Sequence, residues 1–306
     1  MPEAATALGV HSLDRFTLAV PSLDEAERFY GAFGLDVDRG PDALMLRTPG
    51  SAHVWGKLVR GDRKVLRSIR FGAYAHDMSA FRERLRDNAL ANMTEAGDAI
   101  WCRAPDGLAI EIVVAAKSSP DAKADFRAAV DWPGPRGAGP RSSVASVRPR
   151  RLAHLAMYTA DVQRSIDFYG EMLGLRLSDR SGDDTAFLHG VHGSDHHLIG
   201  LGRSNGPGMH HNSWDVGSIA EVGQGAAQMA AAGYTMGWGL GRHVLGSNYF
   251  HYVRDPWGSY AEYSADMDYV PAGSDWPGGD HPPEDSFFQW GPPPPEDFAH
   301  NYETTA

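Results

Sequence analysis

Arg15-Phe-Thr-Leu-Ala-Val-Pro-Ser-Leu-Asp-Glu-Ala-Glu-Arg-Phe29-Tyr30-Gly31 and His154-Leu-Ala-Met-Tyr-Thr-Ala-Asp-Val-Gln-Arg-Ser-Ile-Asp-Phe168-Tyr169-Gly170 are two writings of one pattern, 139 residues apart. Each opens with the alternation of a half-buried strand, turns through a short segment containing an Asp, and continues at helical spacing into Phe-Tyr-Gly. A Gly-Leu stop follows in both copies, at Gly34-Leu35 and Gly174-Leu175. The far ends repeat as well: Ala104-Pro-Asp-Gly107-Leu-Ala-Ile-Glu111 matches Asp255-Pro-Trp-Gly258-Ser-Tyr-Ala-Glu262. Pro-x-Gly ahead of an alternating run is a turn feeding a strand. Between these ends each copy holds a second strand–helix–strand unit. It lies near 66–115 in the first (Val65 to Ala73, then Met78 to Asn88) and near 209–265 in the second (Met209 to Val216, then Ile219 to Ala232). The chain therefore reads as an α+β protein of four βαβββ modules, two per domain.

Working outward, residues 1–118 form an N-terminal pair of modules and 149–270 a C-terminal pair. The stretch 119–148, rich in Ser, Pro, Gly, Ala and Arg, is read as a linker. A tail, 271–306, holds eight of the chain's 20 prolines together with Trp276, Phe287, Phe288, Trp290, Phe298 and Tyr302. Disordered tails are usually poor in aromatics. This one is expected to order against the pocket, a domain or a neighbouring subunit.

At 306 residues there is ample chain for two cores, and 42% hydrophobic with 22% charged residues is ordinary for a globular protein. The net charge of −11 is spread without basic stripes. That argues against nucleic acid and anionic membranes as partners. No apolar run approaches a membrane span, and the N-terminus lacks the pattern of a signal peptide. One cysteine, Cys102, rules out an internal disulfide. Together these place the protein in a reducing cytoplasm, where ferrous iron is easily kept.

Three segments carry metal-ligand chemistry: Arg-Leu-Ala-His154, Gly-Met-His210-His211-Asn and Gly258-Ser-Tyr-Ala-Glu262. Two neutral imidazoles and one carboxylate make the facial triad, which holds Fe(II) and leaves positions open. A lone His154 on an alternating strand is more often a hydrogen-bonded core histidine, but the repeat shifts that reading. Arg15 stands where His154 should be in the first copy, no histidine near 68–73 matches His211, and only Glu111 keeps the third place. One live metal site in a duplicated scaffold would show this asymmetry. Neighbours on a strand face opposite ways. His211, whose following run is more like that after His154, is therefore the expected ligand, with His210 on the outer face.

On these residues the second half resembles the catalytic domain of a type I extradiol ring-cleaving dioxygenase, similar to catechol 2,3-dioxygenases, of the vicinal oxygen chelate superfamily. Asn205-Gly-Pro-Gly-Met-His210-His211, Gly241-Arg242-His243-Val-Leu-Gly-Ser247-Asn248 and Phe250-His-Tyr252-Val-Arg-Asp255-Pro256-Trp-Gly258-Ser-Tyr-Ala-Glu262 carry the likeness, which extends over roughly 11–270. The resemblance implies that each module pair forms an incomplete mixed β-barrel with outer helices. It implies a mononuclear Fe(II) site, with Mn(II) as the alternative, on His154, His211 and Glu262. It implies His197 as acid–base group, and His243 and Tyr252 as catalytic partners that bind the diol. It further implies a catecholic substrate cleaved by O₂ in bacterial aromatic degradation, and a homo-oligomer, with a tetramer favoured. Relatives acting on carboxylate-bearing catechols often carry Arg five residues before the position of His243. Trp238 stands there, so it is expected as a substrate-binding residue for a small neutral ring such as a methylcatechol or a polyhydroxylated toluene.

Other readings stay open. Biaryl or fused-ring diols are the nearest. A glyoxalase-type isomerase or lyase would call for more carboxylate among the ligands. A non-catalytic small-molecule binder on the same scaffold would have no use for the triad. Gly237-Trp-Gly239-Leu-Gly241 lacks the following helix of a dinucleotide loop.

Overall fold

A computed structural model describes residues 7–86, 93–128, 135 and 137–304. The first half contains strands β1 (Ser12–Val20), β2 (Asp36–Arg39), β3 (Ala43–Arg47), β4 (Gly56–Arg60), β5 (Val65–Ala73), β6 (Thr94–Ala96), β7 (Ala99–Arg103) and β8 (Ala109–Val114), with helices α1 (Leu23–Ala32) and α2 (Met78–Arg86). The expected end of α2 at Asn88 lies outside the described residues. The second half contains β9 (Arg151–Thr159), β10 (Arg176–Ser181), β11 (Thr185–His189), β12 (Ser194–Asp195), β13 (Ile199–Arg203), β14 (Gly208–Asp215), β15 (Gly237–His243), β16 (Tyr249–Arg254), β17 (Tyr260–Ala265), β18 (Tyr269–Val270) and β19 (Phe288–Trp290), with helices α3 (Val162–Leu173) and α4 (Ile219–Ala231).

One sheet runs β2-β3-β4-β1-β5-β8-β7-β6 and the other β10-β11-β13-β9-β14-β17-β16-β15-β19. Strand for strand the two orders are the same, except that β19, from the tail, is added to the second. Within each module the outer strands pair in parallel, and the modules of a half join through antiparallel β1/β5 and β9/β14. This is the vicinal oxygen chelate fold, two curled mixed sheets with helices outside.

Local chemistry sets the helix ends. Ser22, Asp161 and Ser218 each accept a backbone N–H three residues on, closing an N-cap. Gly174 ends α3 at φ 72°, a left-handed position suited to glycine. The 139-residue offset holds as far as Gly31 and Gly170; α3 then runs two residues past the point where α1 ends, and its Gly stop falls one residue later.

The two halves share one apolar core. Phe33, just past α1, stacks on Tyr263 of β17 with centroids 3.8 Å apart, and the Tyr263 hydroxyl donates to Phe33 O at 2.8 Å. The Pro- and Gly-rich stretch between the halves is no free tether where it is described. Phe126 stacks on Tyr249, and Lys123 lies 2.9 Å from Asp266.

Beyond β18 the tail folds back over the second sheet. Trp238 Nε1 donates to Pro292 O at 2.7 Å, Arg254 pairs with Asp297 at 2.5 Å, and Phe298 is buried. Glu303 then bridges the halves, accepting from Leu66 N at 2.8 Å and Met209 N at 2.9 Å beside the buried Lys64. The tail thus covers its own chain.

Candidate metal centre and cavity

The centre lies across three neighbouring strands. His154 comes from β9, His211 from β14 and Glu262 from β17. His154 Nε2 and His211 Nε2 are 3.0 Å apart, and Glu262 Oε2 is 3.3 Å from the first and 3.5 Å from the second. Among the described residues this is the group of His, Cys, Asp and Glu side chains that could hold a metal ion.

Adjacent His210 and His211 both face the cavity, contrary to the expectation that His210 points outward and is merely exposed. The cause is a β-bulge. Met209 pairs with Met157 and His211 with Ala156, so His210 is the extra residue in β14. The bulge belongs to the repeat, since Arg67 occupies the same place between Leu66 and Ser68 in β5.

The bulge places the two imidazoles in series. His210 Nε2 lies 2.9 Å from Phe298 O, an acceptor, so Nε2 carries the proton and Nδ1 is bare. The contact of 2.5 Å between His210 Nδ1 and His211 Nδ1 then requires a proton on His211 Nδ1. His211 Nε2 is left as a lone pair directed at His154 and Glu262. Burial, foremost, holds His211 well below the usual histidine range and His210 at about 4, so both are neutral near pH 7.

Do these groups suit a cation? Glu262 is fully buried, and Asn248 Nδ2 satisfies only Oε1, at 3.1 Å. Among the described residues Oε2 has no hydrogen-bond partner, nor has His154 Nδ1. Burial by itself would raise the Glu262 pKa, but the polar groups around it outweigh this and keep it an ionised carboxylate. A buried, ionised oxygen with no donor is costly unless a positive charge faces it. Two nitrogen lone pairs converge on the same point, so the residues fit a divalent cation.

The equivalent place in the first half is already neutralised. By sheet register Arg15 stands for His154, Ser68 for His211, Glu111 for Glu262 and Arg70 for Ser213. Arg70 makes a two-pronged pair with Glu111, at 2.7 and 2.8 Å. A guanidinium sits where the second half gathers His154, His211 and Glu262.

A cavity of about 460 Å³ opens above the trio. Its walls include Ala156, Met157, Phe187 and Leu201 from the sheet and Phe287 and Phe298 from the tail. Volume and apolar lining are those of a small-molecule site. His197, His243 and Tyr252 all line it. His197 packs 4.2 Å from the ring of His154, and burial, foremost, keeps it neutral. His243 Nδ1 donates to Phe287 O at 2.8 Å, which leaves Nε2 to accept from the Tyr252 hydroxyl at 2.8 Å. Burial and the Glu262 charge raise the Tyr252 pKa, so the phenol stays protonated.

Trp238 is placed differently from expectation. It is not among the residues lining the cavity. Its ring stacks on Tyr252 at 5.5 Å, and Phe287 and Phe298 of the tail fill the space before it. It backs the wall and cannot touch a ligand without rearrangement of the tail.

Sequence reasoning assigned no role to Asn248, which holds Glu262, or to His210. The doubled His210-His211 was visible, but a bulge leaves no periodic trace.

Residues 151–263 match the family described as the glyoxalase/bleomycin resistance protein/dioxygenase superfamily. Over 306 residues the chain is 49% identical to metapyrocatechase 2 of Cupriavidus necator, covering 99% of this chain and 95% of that protein. A variant of homoprotocatechuate 2,3-dioxygenase from Brevibacterium fuscum superposes with a TM-score of 0.76 at 18% identity, over 97% of this chain and 83% of that one. A Mn(II)-bound glyoxalase from Novosphingobium aromaticivorans superposes with a TM-score of 0.72 at 22% identity, over 96% and 97%.

Proposed function

Since the chain belongs to the extradiol dioxygenases of this superfamily, we propose that it cleaves a catechol beside its two hydroxyls, at Fe(II) held by His154, His211 and Glu262. One observation carries the assignment. The trio lies under an apolar cavity whose polar wall is His197, His243 and Tyr252. A ferrous ion bound there supplies a Lewis-acidic, redox-active centre that lowers the pKa of a phenolic hydroxyl and leaves a face open for substrate and O₂.

The protein's own groups do the rest. Tyr252 donates its hydroxyl hydrogen bond to His243, so its oxygen lone pairs are free to accept from a diol hydroxyl and set the ring's orientation. Phe187, Leu201, Phe287 and Phe298 exclude water from the ring. His197 is neutral and close to the ligand trio, placed to take a proton from the substrate and return it to the product. Phe298 O, through His210, holds His211 in the tautomer a ligand needs.

The cavity wall also informs the substrate. Arg203, at the mouth, is paired with Asp184 at 2.8 Å, so it offers no uncommitted charge to a carboxylate. This favours catechol or methylcatechol over acid-bearing rings. The cavity volume also makes 2,3-dihydroxybiphenyl the second substrate to examine. Mn(II) suits the same ligands. No helix among the described residues is long and apolar enough to cross a membrane. A cytoplasmic homo-oligomer, with the boundaries 1–118, 149–270 and 271–306, completes the proposal.

Oxygen uptake and yellow product, with the metal-free protein loaded separately with Fe(II) and Mn(II), test it. Turnover should follow Fe(II) and prefer methylcatechol to protocatechuate. No uptake with any catechol and either metal would overturn the assignment.

A further inference from the structure

Behind His197 the structure places a chain of polar groups outside the metal centre. His197 Nδ1 lies 3.0 Å from His196 Nδ1, and His196 Nε2 lies 2.8 Å from Asp179 Oδ2. His196 is fully buried and Asp179 nearly so. The tail closes the far end: Trp276 Nε1 donates to Asp179 Oδ2 at 3.0 Å, while Gly279 N and His281 Nε2 reach Oδ1 at 2.9 and 2.6 Å. Four donors on one carboxylate hold it ionised. Burial opposes this, but the hydrogen bonds from His196, Trp276, His281 and Gly279 depress the Asp179 pKa far below the usual range.

Proton placement then follows by exclusion. A carboxylate only accepts, so His196 Nε2 carries a proton and its Nδ1 is bare. With His196 Nδ1 as acceptor, a hydrogen bond across the 3.0 Å contact has His197 donating from Nδ1, which presents a lone pair at Nε2. We infer that Asp179 and His196 are a positioning pair that sets the tautomer of His197 and receives its proton during turnover. When His197 Nε2 takes a proton from the substrate, the Nδ1 proton moves to His196. His196 becomes an imidazolium beside the Asp179 carboxylate. His197 stays neutral and now carries its proton at Nε2, ready to be delivered. Reversal returns every proton to its starting atom. This rests on the proposed acid–base role of His197, which His197→Phe tests separately.

Nitrogen-15 NMR of histidine-labelled, metal-free protein reads the tautomers without any turnover. Wild type should show His197 protonated at Nδ1. Asp179→Asn can offer an amide N–H to His196 Nε2, which reverses the series and moves the His197 proton to Nε2. In the iron-loaded enzyme the same substitution should lower kcat ~10–100-fold, with KM for catechol changed by less than about threefold. His196→Gln serves where Asp179→Asn folds poorly and should show the same split. Wild-type His197 protonated at Nε2, or a tautomer unmoved in both variants, would overturn the inference. Unmoved kcat in variants whose tautomer has changed would overturn the proton-receiving part. A normal tautomer series with no effect from His197→Phe would instead remove the acid–base assignment.

Discussion

At the scale of single residues, the trio's chemistry was legible because the repeat supplied a control. Arg15 and Ser68 stand where the second copy has His154 and His211. The role of His210 was not legible, because a bulge adds a residue without altering the pattern on either side. His154→Ala, His211→Ala and Glu262→Ala should each abolish metal binding by elemental analysis, with the circular dichroism of the fold retained. His210→Ala should weaken metal affinity by only ~10–100-fold, as loss of an orienting partner does. Full metal occupancy after loss of His211 would remove it from the ligand set. In the first half, Arg70→Met leaves Glu111 without its cation. A cost of roughly 1–3 kcal/mol is expected in urea melts, with metal content unchanged.

At the scale of elements, the four modules could be read from alternation, caps and Gly stops, because those signals are local. The tail's path could not. Prolines and aromatics announced an ordered segment, but its destination depends on contacts such as Trp238 with Pro292 O and Glu303 with Met209 N. The same contacts explain why Trp238 is not at the cavity surface. Phe298 is buried in the aromatic cluster of Trp238, Phe250, Tyr252 and Tyr260. Phe298→Ala should therefore destabilise by ~3 kcal/mol and raise KM for catechol. An unchanged thermal midpoint and unchanged KM would show the tail to be a loose cover. Near the chain's end, Arg254 and Tyr302 depress the Asp297 pKa to about 2. Its contribution is complete above the unfolded carboxylate pKa of ~3.9 and is lost as pH falls toward 2, so protease access to 291–304 should increase in that window.

At the scale of the whole molecule, the shared core makes the halves one cooperative unit. Residues 149–306 alone would expose Tyr263 and the faces that Phe29, Tyr30 and Phe33 cover. A single calorimetric transition is expected for the full chain, and no cooperative transition for the isolated second half. Separate transitions for the two halves would contradict this. Acid should destabilise the metal-free protein early. Burial, foremost, lowers the pKa values of His11, His189 and His251 to about 4. Between pH ~6.5 and ~4 the unfolded chain binds more protons than the folded one, so stability falls as pH drops through that range and levels below it. A thermal midpoint flat from pH 7 to 5 would show these rings to be solvated.

The Arg70–Glu111 pair carries a consequence of another kind. Both copies of the scaffold place a carboxylate at the same buried spot, and each must be given a counter-charge. On the proposed assignment one copy would draw its cation from the medium, subject to supply and to chelators. The other inherits its cation in the gene, as a side chain that can be neither scavenged nor oxidised away. If the proposed metal is scarce, half of the molecule has nothing to lose, and the Arg70–Glu111 half keeps a finished template beside the other.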